Sequence, residues 1–307
     1  MKITALEGAA LNKSAEHDAQ LLEEMEKLRF EVKQPKADTS NDSPRNGRKK
    51  KTYRDVAISF TDRETLLKDV EVIKTLGEGG NGKVDLVSFN DTVCVLKTAL
   101  GGRVPVKELR IMSYLDGAGG APKIIAASEK EFLCTYSGAR TLRDFIKDVT
   151  VSQECLLRDI AQVSERVREV HEKSIVHNDI KEDNVVYDEP NRTFNLIDFG
   201  LSTHVGESLA TVDDPDEFKR LDWMAPEVKR GEGATPRSDV FSLGVLLGNA
   251  IFQFRHPNAV ALTLVGWATS EAVMERPSLE EFIAVMKGAL KARHYAERAL
   301  KFFEMYD

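Results

Sequence analysis

The strongest constraint on the fold is a patterned polar and apolar stretch in the middle of the chain. Two runs rich in Val, Ile and Phe, at 185–187 and 193–197, flank a polar turn that contains proline, and this pattern predicts a β-hairpin. Asp179 and Asn184 precede the first strand, and Asp198 directly follows the second. Oxygen ligands at the mouth of one hairpin can hold a divalent metal while one carboxylate stays free to accept a proton. The stretch therefore predicts a metal site beside a general base.

This stretch resembles the catalytic centre of the eukaryotic-type protein kinases. In that family, His-Arg-Asp is followed after four residues by Asn, and then by Asp-Phe-Gly. A match of this length is specific, and a hairpin that carries these residues by chance is the weaker explanation. The matching positions are His177-Asn178-Asp179, Asn184 and Asp198-Phe199-Gly200.

The resemblance implies a fold of the α+β class with two lobes. It predicts a small five-stranded antiparallel lobe with one main helix, at about 70–136, and a mostly helical large lobe, at about 138–307. Three strands are indicated between residues 70 and 97 by their alternating and β-branched pattern. Further strand patterns at 123–128 and 131–136 complete the predicted sheet.

A glycine-rich sequence, Gly77-Glu78-Gly79-Gly80-Asn81-Gly82, separates the first two predicted strands. A GxGxxG motif alone is weak evidence, because dinucleotide-binding folds use one to open a helix. Here strand pattern resumes directly after the last glycine, which favours a hairpin lid over phosphates, as in the kinase family. The alternative is a plain glycine-rich turn, which would leave Lys97 at the end of the third strand unexplained.

Lys97 requires a carboxylate partner, because burying an unpaired ammonium group is costly. Glu108 can supply it from the helical pattern at 104–115, although Glu108 could also be a surface residue of that helix. Cys134 is predicted at the back of a nucleotide pocket, and it also suits a small core position. Helices are predicted at 139–149 and 152–172, the second with a core-facing apolar stripe.

The resemblance implies ATP and Mg²⁺ as cofactors. It implies that Asp179 is the catalytic base, that Lys181 lies near the γ-phosphate, and that Asn184 and Asp198 bind the metal. The Asp-x-Lys pattern is typical of the serine/threonine kinases. The positions implied for nucleotide contact are Leu76, Gly77, Gly79, Gly82, Val84, Val95, Lys97, Glu108, Thr135 and Tyr136.

Three downstream matches extend the resemblance to about residues 70–286. Ala225-Pro226-Glu227 resembles the motif that ends the kinase activation segment, and Arg276 stands where the family pairs an arginine with that glutamate. Asp239 matches the aspartate that opens the central helix of the large lobe. This helix is apolar on nearly every face, which is typical of a buried helix.

The chain also departs from the family pattern. Asn178 replaces the arginine before the catalytic aspartate, so we expect activity that does not depend on phosphorylation of the activation segment. Lys219 and Arg220 replace a common Gly-Thr pair, which suggests a preference for acidic peptides. Few residues separate the central helix from Arg276, so the substrate-docking part of the large lobe is predicted to be short.

Residues 1–55 are predicted to be an extension of the kinase domain, which is assigned to 56–307. The extension holds one amphipathic helical pattern at 21–32, whose partner the sequence does not identify, followed by a polar linker through Arg54. A basic run at 48–51 fits a solvated linker better than a nuclear import signal. A capping box is predicted at Thr61, ahead of a short helix.

Composition excludes several classes of protein. The chain has 43 basic and 50 acidic residues, a net charge of −7, which gives no basic field for nucleic acid. Its three cysteines lack metal-binding spacing and suit a reducing compartment. The apolar run at 240–252 is too short for a membrane span. We therefore expect a cytoplasmic protein without nucleic acid or membrane partners, with a nuclear location as the alternative.

The resemblance implies ATP-dependent phosphoryl transfer to Ser or Thr of a protein substrate. One alternative is a pseudokinase scaffold that binds partners without turnover, but such proteins usually lack one of the four central residues, and all four are present: Lys97, Asp179, Asn184 and Asp198. The other alternative is a small-molecule kinase, which the Ala-Pro-Glu motif and Asp239 count against.

Overall fold

The computed structural model describes residues 51–79, 82–100, 102–209 and 220–288. The helix predicted at 21–32, the basic run at 48–50 and Lys219 lie outside the described residues.

The small lobe is one antiparallel sheet in the order β1-β2-β3-β5-β4, which confirms the five predicted strands. The β2–β3 connection is a tight turn in which Asn90 and Asp91 have φ of 47° and 59°, a left-handed region that these residue types tolerate. The strands are β1 (Val70–Gly79), β2 (Gly82–Phe89), β3 (Thr92–Thr98), β4 (Ile124–Ala127) and β5 (Glu131–Thr135).

Two helices pack on this sheet. Helix α1 (Arg63–Leu67) buries Leu66 against the outer face of the sheet, and helix α2 (Val106–Leu115) begins after Pro105. The predicted capping box at Thr61 is wrong: Asp62 caps α1 by accepting the N–H of Thr65 at 2.8 Å. An Asp side chain supplies the same acceptor one position later, so the helix start shifts by one residue.

The large lobe is mainly helical, and its buried apolar residues form most of the main core and a second, smaller cluster around Met224 and Val228. The helix predicted at 139–149 is shorter, because Arg140 and Thr141 pair with β8 instead of entering the helix. The elements are β6 (Arg140–Thr141), α3 (Leu142–Lys147), α4 (Gln153–Glu172), β7 (Ile175–Val176), β8 (Val185–Asp188), β9 (Thr193–Leu196), β10 (Thr203–His204), α5 (Pro226–Lys229), α6 (Pro236–Ile251), α7 (Ala259–Ala268) and a helix α8 that covers 279–288.

The predicted catalytic hairpin is present, and β8 and β9 pair in antiparallel register. Helix α4 leads toward it with its apolar stripe fully buried, and α6 is buried around most of its circumference, both as predicted. In the part of the chain that the structure describes, no helix is long and apolar enough to cross a membrane.

A strap formed by residues 51–56 packs against helix α2. Tyr53, in a short 3-10 turn, is only 5% exposed and belongs to the main core. Its hydroxyl donates to Glu207 Oε2 at 3.0 Å, and Arg54 pairs with the other oxygen of Glu207 at 2.7 Å. The prediction of a linker through Arg54 is therefore wrong at its carboxyl end, because the buried aromatic ring anchors this part of the chain.

Removing the hydroxyl of Tyr53 tests how firmly the strap is held. We expect Tyr53→Phe to lower the free energy of unfolding by about 1 kcal/mol, because the partly buried Glu207 loses a hydrogen-bond donor while the ring stays in place. Denaturant unfolding measures this loss. Tyr114→Phe is the matched control, since the Tyr114 hydroxyl bonds only the exposed carbonyl of Lys51, and its effect should be smaller. An equal loss of unfolding free energy in the two variants would show that the bond to Glu207 contributes no more than the bond to the exposed carbonyl.

Candidate active site

A cavity of about 360 Å³ lies between the sheet of the small lobe and the β8–β9 hairpin. This volume lies within the range of small-molecule sites. Every residue predicted to contact nucleotide lines it except Gly79 and Gly82, which pair with each other at the tip of the β1–β2 hairpin. The predicted residues in the lining are Leu76, Gly77, Val84, Val95, Lys97, Glu108, Thr135, Tyr136, Asn184 and Asp198.

Lys97 joins the two lobes across this cavity. Its Nζ lies 2.8 Å from Glu108 Oε1 on α2 and 3.3 Å from Asp198 Oδ1, just beyond β9. The Glu108 side chain is 3% exposed, whereas that of Asp198 is 43% exposed. The sequence predicted the partnership with Glu108, and the structure brings the three charged groups together.

Burial and charge act in opposite directions on these groups. Burial alone would lower the pKa of Lys97, but the carboxylates of Glu108 and Asp198 outweigh it and raise that pKa. Burial alone would raise the pKa of Asp198, but nearby Lys97 outweighs it and lowers that pKa. Lys97 is therefore a cation and Asp198 an anion at neutral pH, which suits phosphate and metal binding respectively.

For two groups deeper in the cavity, burial changes the pKa more than the neighbouring charges do. It raises the pKa of Glu108, and Lys97 offsets this only in part. Burial also raises the pKa of the Cys134 thiol to about 12. Cys134 is therefore a neutral thiol that lines the back of the cavity, consistent with both predictions made for it.

The Asp179 side chain is 7% exposed and is surrounded by hydrogen-bond donors. Its Oδ2 accepts from Lys181 Nζ at 2.8 Å and from Asn184 Nδ2 at 2.6 Å, and its Oδ1 accepts from Trp223 Nε1 at 2.7 Å. Asn184 donates to Asp179 through its amide nitrogen, so its side-chain oxygen is the atom available to a cation. Asp179 and Asn184 are thus adjacent, and Asn184 shares the cavity wall with Asp198.

The oxygen atoms that Asn184 and Asp198 offer suit a magnesium ion that is also bound by a nucleotide. Among the described residues, no group of three or more His, Cys, Asp or Glu side chains could hold a metal alone. Asn184 and Asp198 instead offer two oxygen donors on one cavity wall. Mg²⁺ is usually held by one or two carboxylates together with substrate phosphates and water, so this sparse set agrees with its chemistry.

Helix α6 holds the loop that carries Asp179 by its backbone. The Asp239 carboxylate accepts the N–H groups of His177 and Asn178, each at 2.8 Å, and also contacts His171. The ring of His177 packs 4.7 Å from that of Phe199, so this histidine contributes to the packing beneath the loop. The central helix therefore positions the loop that carries Asp179.

Asn178 ties this loop to the segment that follows Gly200. Its side-chain nitrogen donates to the carbonyl of Leu201 at 3.0 Å and to Thr203 Oγ1 at 2.9 Å. Its φ of 65° lies in the left-handed region, where Asn is among the better tolerated residues. The substitution for arginine thus replaces a cation with a short neutral side chain that bonds the segment directly.

A buried ion pair links helix α5 to Arg276, which directly follows the 3-10 turn at Val273–Glu275. Arg276 donates to Glu227 through two bonds of 2.7 and 2.8 Å, and both side chains are at most 2% exposed. Ser238 also donates to Glu227 at 2.7 Å. The predicted pairing of Arg276 with the Ala-Pro-Glu motif is confirmed.

Two contacts near Asp179 could not be predicted from the sequence. Trp223 reaches Asp179 from just before the Ala-Pro-Glu motif, and its only sequence signal is that proximity. Asp183, for which no role was predicted, pairs with Arg143 of α3, with Nη2 and Oδ2 2.6 Å apart. Both contacts depend on the three-dimensional approach of distant segments.

Comparison with known proteins agrees with this geometry. The chain is 28% identical over 261 residues to the serine/threonine-protein kinase SBK1 of Mus musculus, 25% over 247 residues to the serine/threonine-protein kinase AtPK2/AtPK19 of Arabidopsis thaliana, and 26% over 223 residues to the serine/threonine-protein kinase MPS1 of Encephalitozoon cuniculi. These alignments cover 77%, 73% and 68% of this chain. They cover 58%, 50% and 36% of the relatives, so the chain spans less than two thirds of each relative's length.

The family itself is established by a match to a family model. The model described as Protein kinase domain matches residues 70–261, well over half of the 307-residue chain. The matched range contains the cavity and the β8–β9 hairpin. The chain therefore belongs to the protein kinase family.

Proposed function

We propose that this protein transfers the terminal phosphate of ATP to Ser or Thr hydroxyls of protein substrates. The observation that carries the proposal is the contact of Lys97 with both Glu108 and Asp198, which joins the two lobes over a cavity of nucleotide size. Phosphoryl transfer depends mainly on in-line placement and charge neutralisation, and this arrangement supplies fixed charges of both signs.

The roles proposed for the cavity residues follow from their chemistry. Lys97 would pair with the α- and β-phosphates, and the apolar wall that includes Leu76, Val84 and Val95 would enclose the base. Asn184 and Asp198 would hold Mg²⁺, which when bound neutralises charge on the phosphates. Gly79 and Gly82 are proposed to act from the lid, since they lie at its tip rather than in the cavity wall.

Asp179 is proposed to orient the acceptor hydroxyl and to take its proton. The hydroxyl oxygen forms a bond to the terminal phosphorus as the bond to the ADP oxygen breaks, and the electron pair of that bond leaves with ADP. The proton passes to Asp179 late in the step. Lys181 bonds both oxygens of Asp179, and its flexible stem allows it to turn toward the γ-phosphate, which frees a lone pair for the hydroxyl.

The preference for an acidic peptide is part of the proposal. Arg220 is exposed ahead of Trp223. Just after Asp179 in the chain, Asp183 pairs with Arg143, and Glu182 accepts from Asn249 at 2.6 Å, so both carboxylates already have partners. Fewer free carboxylates near Asp179 leave less attraction for a basic peptide.

Two structural expectations remain part of the proposal. We assign residues 56–307 to the kinase domain and residues 1–55 to an extension, whose last residues form the strap that packs on the domain. The stretch 252–275 holds α7 and a short 3-10 turn, and we propose a correspondingly small substrate-docking region there.

One assay separates the three functional hypotheses. Purified protein is incubated with Mg²⁺, ATP labelled on its terminal phosphate, an acidic and a basic generic protein, and candidate small metabolites, beside Asp198→Asn. We expect label in phosphoserine or phosphothreonine of protein, more in the acidic protein, and none with the variant. Label only in a metabolite would support a small-molecule kinase, and no label in any acceptor would support a scaffold.

A further inference from the structure

Trp223 makes an unusual contact with the proposed catalytic base. Its indole Nε1 donates to Asp179 Oδ1 at 2.7 Å, a short bond to a nearly buried carboxylate. The face of the same indole covers Lys181, whose Nζ lies 4.7 Å from the ring centroid. One side chain from the end of the activation segment therefore touches both proposed catalytic residues.

Helix α6 fixes the position of Trp223 relative to Asp179. The hydroxyl of Ser242 donates to the carbonyl of Trp223 at 2.7 Å, and Asp239, three residues earlier, binds the N–H groups of the catalytic loop. Residues three apart lie on the same side of a helix. A single rigid helix thus holds both the tryptophan and the loop that carries the carboxylate.

The other donors to Asp179 have second tasks in the proposed reaction. Lys181 turns toward the γ-phosphate, and Asn184 presents its oxygen to the metal. The indole N–H has no other hydrogen bond in the described structure, and it is a donor only, so it cannot compete for the proton of the acceptor hydroxyl. It is therefore the contact suited to keep the carboxylate oriented throughout the step.

We propose that Trp223 is a positioning residue that fixes the orientation of the Asp179 carboxylate through its indole N–H. This inference rests on the proposed function, because it assigns Trp223 to the same phosphoryl transfer. Its effect passes through Asp179, while the face of the ring confines Lys181. ATP binding does not depend on it, since Trp223 is not part of the cavity wall.

Trp223→Phe tests the inference, because phenylalanine keeps an aromatic face for Lys181 but lacks the N–H. We expect kcat for protein phosphorylation to fall about tenfold to a hundredfold, the range for a lost hydrogen bond to a charged group. KM for ATP should stay within about twofold of wild type, because only the transfer step uses this contact. An unchanged kcat, or a higher one as expected if the indole blocks the acceptor, would overturn the inference.

A double-mutant cycle distinguishes positioning from a general structural effect. In an Asp179→Asn background the same Trp223→Phe change should cost less than about threefold, because the carboxylate it orients is already gone. Equal losses in the two backgrounds would show that Trp223 does not act through Asp179. Wild-type protein without any transfer would instead overturn the proposed function, and this inference with it.

A second variant covers the case in which Trp223→Phe fails to fold. Ser242→Ala removes the hydroxyl that anchors the Trp223 carbonyl and leaves the indole itself unchanged. We expect a smaller fall in kcat, again absent in the Asp179→Asn background, with thermal unfolding close to that of wild type. A fall of equal size in both backgrounds would count against the inference.

Discussion

Replacing Asp179 with Asn is expected to lower kcat by about 10²- to 10⁴-fold, the usual contribution of a positioned general base. The amide is close in shape to the carboxylate but cannot accept the proton of the acceptor hydroxyl. Asp179 does not line the cavity, so the affinity for ATP should remain near that of wild type. Steady-state phosphorylation and direct nucleotide binding measure the two quantities separately.

Asp188→Asn is the matched control for this charge change. Asp188 ends β8 and bonds the exposed turn residue Asn191 at 2.8 Å, away from the cavity lining. Its kcat should stay close to that of wild type. If Asp179→Asn retained more than about a tenth of the wild-type rate, the role of Asp179 as general base would be wrong.

Replacing Arg276 with Ala is expected to lower the free energy of unfolding by about 3–5 kcal/mol, the usual result of breaking a buried ion pair on one side. Glu227 would be left buried without its two strongest donors, and the carbonyls that Arg276 now contacts would also lose a partner. Denaturant unfolding at neutral pH measures the loss. Arg230→Ala, which breaks an exposed pair with Glu232, should have no measurable effect.

The same ion pair predicts how stability depends on pH. Burial alone would raise the pKa of Glu227, but the bonds from Arg276 and Ser238 outweigh it and lower that pKa below its usual 4.5. A lowered pKa stabilises the fold above the unfolded pKa, and this contribution is lost as pH falls through the folded pKa. Wild-type protein should therefore lose this stability below pH 4.5.

Arg276→Ala should show the opposite trend at this site. An unpaired buried carboxyl has a raised pKa, so its folded state favours the protonated form. The difference in stability between variant and wild type should shrink as pH is lowered toward 4.5. A difference that stays constant between neutral pH and pH 4.5 would contradict the assignment of the loss to this pair.

The parts of the structure that could be predicted are those that local residue patterns determine. The strands of the small lobe follow from alternating apolar residues, and the hairpin at 185–197 follows from two β-rich runs around a polar turn. The pairing of Lys97 with Glu108 could be predicted because a buried ammonium needs a carboxylate, whatever the details of the fold. The alternation of apolar residues and the need to pair a buried charge were enough to predict these features.

The parts that were wrong or unforeseen depend on contacts between distant segments. Composition marks the stretch between the helical pattern at 21–32 and Arg54 as polar linker, and nothing local indicates that Tyr53 is buried against helix α2. Arg140 and Thr141 have no strand pattern of their own and become β6 only because β8 lies beside them. Trp223 likewise acquires its contact with Asp179 from the fold around α6.

The strap has a practical consequence for truncation. Tyr53 and Arg54 clamp Glu207, which lies just beyond β10, so the first described residues brace the amino-terminal lobe against the region that follows Asp-Phe-Gly. A shortened protein that starts at the predicted domain boundary, residue 56, would lose this brace and expose the groove that the ring of Tyr53 fills. Versions of the protein trimmed for crystallisation or binding assays should therefore retain the chain from residue 51 onward.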